Sequence, residues 1–191
     1  STQQRPTLGI PDTKFVLLND RAKMITKAPI RVIDLSLLEL HNSRTFWDIG
    51  ACTGSVSIEA RRQYPHLNIQ AFEVREECKD IIRANARLHS APGIDLHIGN
   101  FLNLPIAEDA IVDAVFIGGH GGKLKEIICK VASHLDKLKG KIVFNSVSEE
   151  SNKLFREAVE ENDLKLHSEM NITVDSNNPI TILCATGKYH V

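Results

Sequence analysis

The chain has 191 residues, 42% of them hydrophobic, and its 23 Lys and Arg balance 24 Asp and Glu to a formal net charge of −1. That length suffices for a buried core in one domain, and balanced charge at this density excludes long-range disorder. Near-neutrality argues against a protein that mainly grips nucleic-acid backbone. No run approaches the ~20 apolar residues of a membrane helix, and the first 30 residues lack a signal-peptide core.

Residues 1–31 are cationic. Arg5, Lys14, Arg21, Lys23, Lys27 and Arg31 stand against Asp12 and Asp20, a net of +4 on a remainder of −5. An anionic ligand near this arm is one reading, a solvated surface the other. A helix is expected from about Thr26 to Leu40. From residue 44 short apolar runs alternate with helical periodicity. Strands are expected at 45–50, 68–74 and 94–98, with helices at 54–64 and 76–89. After a loop at Pro105 comes the apolar run Ile111 to Ile117. Leu124, Ile127, Ile128, Val131, Leu135 and Leu138 share one helical face, which predicts a helix stopped at Gly140. Lys141 to Val147 reads as the fifth strand, and Ser148 caps a helix running to about 162. The runs 164–174 and 180–186 flank a turn at Asp175 to Pro179 and predict an antiparallel hairpin. Such βα alternation gives an α/β fold: a doubly wound, Rossmann-like sheet with an antiparallel edge hairpin.

Cys52, Cys78, Cys129 and Cys184 are scattered, with no C-x-x-C pair and no His at zinc-ligand spacing. Reduced thiols in a cytoplasmic protein are expected, with no metal site. The opening Ser1 in place of Met suggests a piece of a longer polypeptide.

In such sheets ligands sit beyond the carboxyl ends of the strands, where strand order reverses. The first βα turn is Asp48-Ile49-Gly50-Ala51-Cys52-Thr53-Gly54. It lacks the G-x-G-x-x-G of dinucleotide folds and the G-K-[ST] of a P-loop, so a ligand without a pyrophosphate fits better. D-x-G-x-x-x-G with an acid ending the second strand suits S-adenosylmethionine. Glu73 would accept from both ribose hydroxyls, and the adenine would lie near Asn100-Phe101, where Phe101 is either a stacking platform or core. Ile117 leads into Gly118-Gly119-His120-Gly121-Gly122, a loop that favours a flat, bulky substrate lying against backbone. His120 there would transfer a proton or bind a carboxylate.

With these residues in view, the chain resembles the decarboxylating precorrin methyltransferases of cobalamin biosynthesis, as stand-alone carbon-15 enzymes or as the C-terminal half of fused carbon-5,15 enzymes. The resemblance rests on Gly9-Ile10-Pro11-Asp12-x-x-Phe15, Thr26-Lys27-x-x-Ile30-Arg31, the run Trp47 to Glu59, Glu73, and Gly118 to Gly122. It implies a class I methyltransferase fold. It implies cofactor binding by Thr26, Asp48, Gly50, Ala51, Cys52, Thr53, Gly54, Glu73, Asn100, Phe101 and Gly118. It further implies a precorrin or cobalt-precorrin held by Lys14, Arg21, Lys27, Arg31, Gly119, His120, Gly121 and Gly122, with His120 the candidate catalytic group. The resemblance also implies that carbon 15 is methylated and that the ring-C acetate loses carbon dioxide. Cys52 replaces the glycine usual in the turn, Asn100-Phe101 replaces Asp-Ala, Ala28-Pro29 replaces charged residues, and His120 stands where serine is common. Cobalt in the ring, a carbon-5 domain and a homo-oligomer stay open. Three rivals remain: a nucleic-acid methyltransferase, disfavoured by a pI near 6.7; a nicotinamide reductase, disfavoured by the glycine spacing; and a non-catalytic cofactor-binding domain.

Overall fold

The computed structural model describes residues 8–21 and 24–191. Arg5 and Lys23, counted in the cationic arm, lie outside them. Among the described residues no helix is long and apolar enough to cross a membrane. Seven strands of the described residues form one sheet: β1 (Thr45–Ile49), β2 (Asn68–Glu73), β3 (Ile94–Ile98), β4 (Ala114–Ile117), β5 (Lys141–Ser146), β6 (Leu164–Ile172) and β7 (Ile180–Gly187). Their order is β3-β2-β1-β4-β5-β7-β6, and β7 runs antiparallel to both of its neighbours. Among the described residues five α-helices cover the faces: α1 (Ala28–Leu38), α2 (Ser55–Gln63), α3 (Cys78–Leu88), α4 (Leu124–Ala132) and α5 (Glu149–Glu161).

The near-continuous apolar character of the central strands follows from burial on both sides. Successive side chains alternate faces. Trp47, Ile49, Val115 and Ile117 pack with Ile128 of α4 and Phe155 of α5. Phe46 and Phe116 point the other way, onto Ile30 and Leu38 of α1 and Val56 of α2. At α1, Pro29 falls in the first turn, where its missing N–H leaves no bond unmade. Ser148 caps α5 through its hydroxyl, which accepts from Ser151 N at 3.1 Å.

Two helix expectations need correction. The first helix runs from Ala28 to Leu38 rather than from Thr26 to Leu40, because Glu39 turns left-handed (φ 48) and a short 3-10 turn follows. The helix of the 124–138 stretch ends at Ala132. Leu135 leaves the helix to pair beside Val112, with Asp136 N donating to Val112 O at 2.9 Å. Leu135 is therefore buried without being helical, while Leu138 is 55% exposed. Gly140 follows because a Cβ there would come within 2.3 Å of Asp136 O.

Candidate functional site

β1 has β2 on one side and β4 on the other, so the strand order reverses between β1 and β4 and opens a crevice beyond their carboxyl ends. A cleft of about 390 Å³ lies there. Its floor is set by backbone. Gly50 N and Ala51 N both donate to Phe72 O, at 2.8 and 3.0 Å, and Gly118 N donates to Ile49 O at 2.8 Å. Gly50 has φ 76, and a Cβ on it would sit 2.4 Å from Gly119 N. Only glycine lets the two loops close this tightly.

Two carboxylates face the cleft. Asp48 is 1% exposed, and its Oδ2 accepts from Ser57 Oγ at 2.6 Å. Its Oδ1 is buried with no hydrogen-bond partner. Burial raises the Asp48 carboxyl to about 6, against the pull of the Ser57 bonds, and the charge of Glu73 adds to the rise. Glu73, also buried, holds the turn itself: Oε1 accepts from Cys52 N at 2.9 Å and Oε2 from Arg75 N at 2.8 Å. Each oxygen retains a lone pair for a ligand hydroxyl. An unpartnered acceptor and a second carboxylate beside it make a site for a cationic, hydroxyl-bearing molecule.

At the β3 end, Asn100 Oδ1 accepts from Leu102 N at 3.0 Å and shapes the loop. Phe101 is core, packed edge-on against Phe72 and Trp47, and it also lines the cleft. Lys130 fixes this wall. Its ammonium lies 4.6 Å from the Phe101 ring centroid and donates to Phe101 O and Leu104 O, at 2.5 and 2.7 Å. At the β4 end, His120 Nδ1 accepts from Gly122 N at 3.1 Å, which places the neutral ring's proton on Nε2. Burial lowers the His120 pKa, so the ring is neutral at pH 7.

Thr26, Asp48, Gly50, Ala51, Cys52, Thr53, Glu73, Asn100, Phe101, Gly118, Gly119, His120 and Gly121 all line the cleft. Gly54 lies behind it as the left-handed N-cap of α2, facing Ile82. Gly122 is not in the lining, and neither it nor Gly121 has anything within 4 Å of an added Cβ. The glycine-rich loop thus divides. Gly118 and Gly119 lie close to the Gly50 turn, whereas Gly121 and Gly122 serve left-handed backbone at φ 56 and 75.

The cationic arm requires the larger correction. Arg31 is fully buried, donating to Ile10 O at 2.8 Å, to Thr26 O and to Asp12 at 2.5 Å, and it pairs with buried Glu59 at 3.5 Å. Its cation also sits 5.0 Å from the centroid of Phe15. The G-I-P-D-x-x-F and I-R segments are therefore a clasp, holding the arm on the fold, and Arg31 is not available to a substrate. Asn85 extends the clasp to the turn, bonding Val16 N, Val16 O and Thr53 O. Lys14 and Arg21 are exposed but, like Lys27, do not line the cleft. Among the described residues, the cations that do line it are Arg75 and Lys123. Sequence reasoning passed over both, though each directly follows a strand-end motif.

Residues 18–183 match the family model of the precorrin methyltransferase domain. A cobalt-precorrin-6B C(15)-methyltransferase (decarboxylating) of Salmonella typhimurium is 35% identical over 127 residues, spanning 66% of this chain and 64% of that protein. The crystal structure of a precorrin-6y C5,15-methyltransferase from Geobacter metallireducens is similar at a TM-score of 0.85 and 32% identity, over 96% of this chain and 100% of that one. The O-methyltransferase TomG from Streptomyces achromogenes, solved with SAM, shares the fold alone, at a TM-score of 0.73 and 16% identity over 86% and 82% of the two chains. The family match takes in all four strands around the crevice and both glycine loops, and on it the chain belongs to the precorrin methyltransferase domain family.

Proposed function

We propose that residues 1–191 act as one cytoplasmic methyltransferase domain. It transfers a methyl group from S-adenosylmethionine to carbon 15 of a precorrin or cobalt-precorrin, with loss of carbon dioxide from the ring-C acetate. The observation that carries this reading is the unpartnered, buried Asp48 Oδ1 beside Glu73, at a crevice whose walls are glycine backbone. An ammonium group donating to Oδ1 would satisfy it, and ribose hydroxyls would find the free lone pairs of Glu73. Phe101 and Asn100 would bound the adenine, and Thr26 the opposite wall.

When bound, S-adenosylmethionine supplies an electrophilic methyl group. The chain's residues then have to hold and orient, because the electron-rich macrocycle is its own nucleophile. Placing carbon 15 in line is worth several orders of magnitude, as in any well-positioned intramolecular step. Gly118 and Gly119 leave their stretch of the wall free of side chains, so a flat ring can lie against backbone there. Lys123 and Arg75 at the mouth suit the ring's carboxylates, and exposed Lys14 and Arg21, with Lys27, give the approach a positive field. In the decarboxylation the acetate C–C bond breaks, its electrons enter the conjugated ring, and a proton takes the place of carbon dioxide. His120, neutral with its proton on Nε2, would be the group that donates it.

Release of S-adenosylhomocysteine tests the proposal. With a carbon-5-methylated precorrin present, one equivalent per ring is expected. Release that is indifferent to the tetrapyrrole would remove the substrate assignment.

A further inference from the structure

Cys52 and Cys78 are far apart in sequence, yet the fold brings them together with Glu73 behind the cofactor turn. One ligand atom from each of the three residues lies within 4.8 Å of the others, and all three side chains are buried. The two thiols are thus close neighbours, although no disulfide joins them. Cys52 also lines the cleft, which gives a path from solvent. Its backbone is left-handed at φ 48, where glycine would be relaxed and a side chain costs about 1 kcal/mol. The chain thus keeps a thiol at a strained position, next to a second thiol and a carboxylate.

We propose that Cys52, Cys78 and Glu73 form a binding site for a thiophilic metal ion such as Zn²⁺ or Cd²⁺, and that an occupied site excludes the adenosyl cofactor. Two sulfurs and one carboxylate oxygen suit a tetrahedral ion whose fourth ligand is water from the cleft. With Zn–S bonds of about 2.3 Å, tetrahedral ligands stand roughly 3.8 Å apart, so side-chain rotations of about 1 Å close the site. Binding releases both thiol protons to solvent and leaves two thiolates and the carboxylate on the ion. Burial pushes both thiols up, the Cys78 thiol to about 12. Exclusion of the cofactor rests on the ribose assignment above, because metal and ribose would draw on the same carboxylate.

The test uses the full chain carrying Cys129→Ser, which removes the exposed thiol, in a phosphine reductant. Cd²⁺ is titrated while thiolate-to-cadmium charge-transfer absorption and proton release are followed. One ion per chain, two protons and an ultraviolet band are expected, and the band is lost in Cys78→Ser. Cys52→Gly removes a different ligand while suiting the left-handed backbone, so a folding defect at Cys78 does not decide the matter. Free Zn²⁺ at ten times its own dissociation constant should then weaken S-adenosylhomocysteine binding about 11-fold by mass action, and only where both thiols are present. No band, or a band that persists in both variants, overturns the site. A band with unchanged S-adenosylhomocysteine affinity overturns the exclusion. Failure of S-adenosylhomocysteine to bind the metal-free chain overturns the cofactor assignment instead and leaves the metal titration to stand on its own.

Discussion

Replacing Asp48 by Asn separates stability from function, and the structure sets the size of each effect. Burial holds the Asp48 carboxyl at about 6 against an ordinary 3.8. At 1.36 kcal/mol per tenfold change in proton affinity, this corresponds to about 3 kcal/mol. The folded chain binds this proton more tightly than the unfolded chain. The contribution therefore favours folding fully below the unfolded value and is lost as pH rises through about 6. At pH 7 the ionised group opposes folding. Asn keeps an oxygen for the Ser57 hydroxyl and never ionises. Asp48→Asn should thus be about 3 kcal/mol more stable than wild type at pH 7, or about 6–12 °C in Tm for a chain of this length, with the gap closing towards pH 4. Calorimetric binding should move oppositely, with S-adenosylhomocysteine affinity falling about 10–100-fold as a charged hydrogen-bond partner is lost. Thermal melts of both proteins between pH 4 and 8 decide the point. Parallel Tm curves across that range would refute the reasoning, and unchanged affinity would detach Asp48 from the cofactor.

Arg31→Ala should cost about 3–5 kcal/mol in a urea titration, because Glu59 is left charged and buried without its partner. Substrate KM for the folded fraction should not change, whereas a rise in KM without a loss of stability would restore Arg31 to the substrate. Gly50→Ala should abolish cofactor binding by calorimetry, since the new Cβ meets Gly119 backbone. Gly121→Ala, with open space around it, should cost only about 1 kcal/mol of left-handed strain. Equal damage from the two would contradict the division of the loop. His120→Ser should leave methyl transfer within about tenfold, a smaller loss than removal of a general acid or base produces. A fall of several hundred-fold in single-turnover methylation would make His120 catalytic in that step.

The parts of this site that were legible in sequence are those dictated by backbone chemistry. A strand running into Asp48-x-Gly50 announces a crevice, because glycine there serves close approach. An acid at the end of the next strand announces a carboxylate at the same crevice, where Glu73 stands and accepts from Cys52 N and Arg75 N. The hairpin and the Ser148 cap were legible through turn residues and a hydroxyl at the right spacing. What was hidden depended on pairing across long sequence distances. Arg31 reads as a surface cation until Asp12 and Glu59 are seen around it. Leu135 fits a helical stripe until Val112 offers it a strand partner. Cys52 and Cys78 look scattered because nothing local places α3 behind the first turn. Arg75 and Lys123 were passed over for a simpler reason: the arm's run of positive charge drew the assignment away from single cations flanking the motifs.

The most direct test of the account is mass spectrometry of the tetrapyrrole after incubation with this chain, S-adenosylmethionine and a precorrin already methylated at carbon 5. A ring that has gained one methyl group and lost one carbon dioxide is the predicted product. A ring of unchanged mass, from a chain shown by calorimetry to bind S-adenosylhomocysteine, would contradict the proposed reaction.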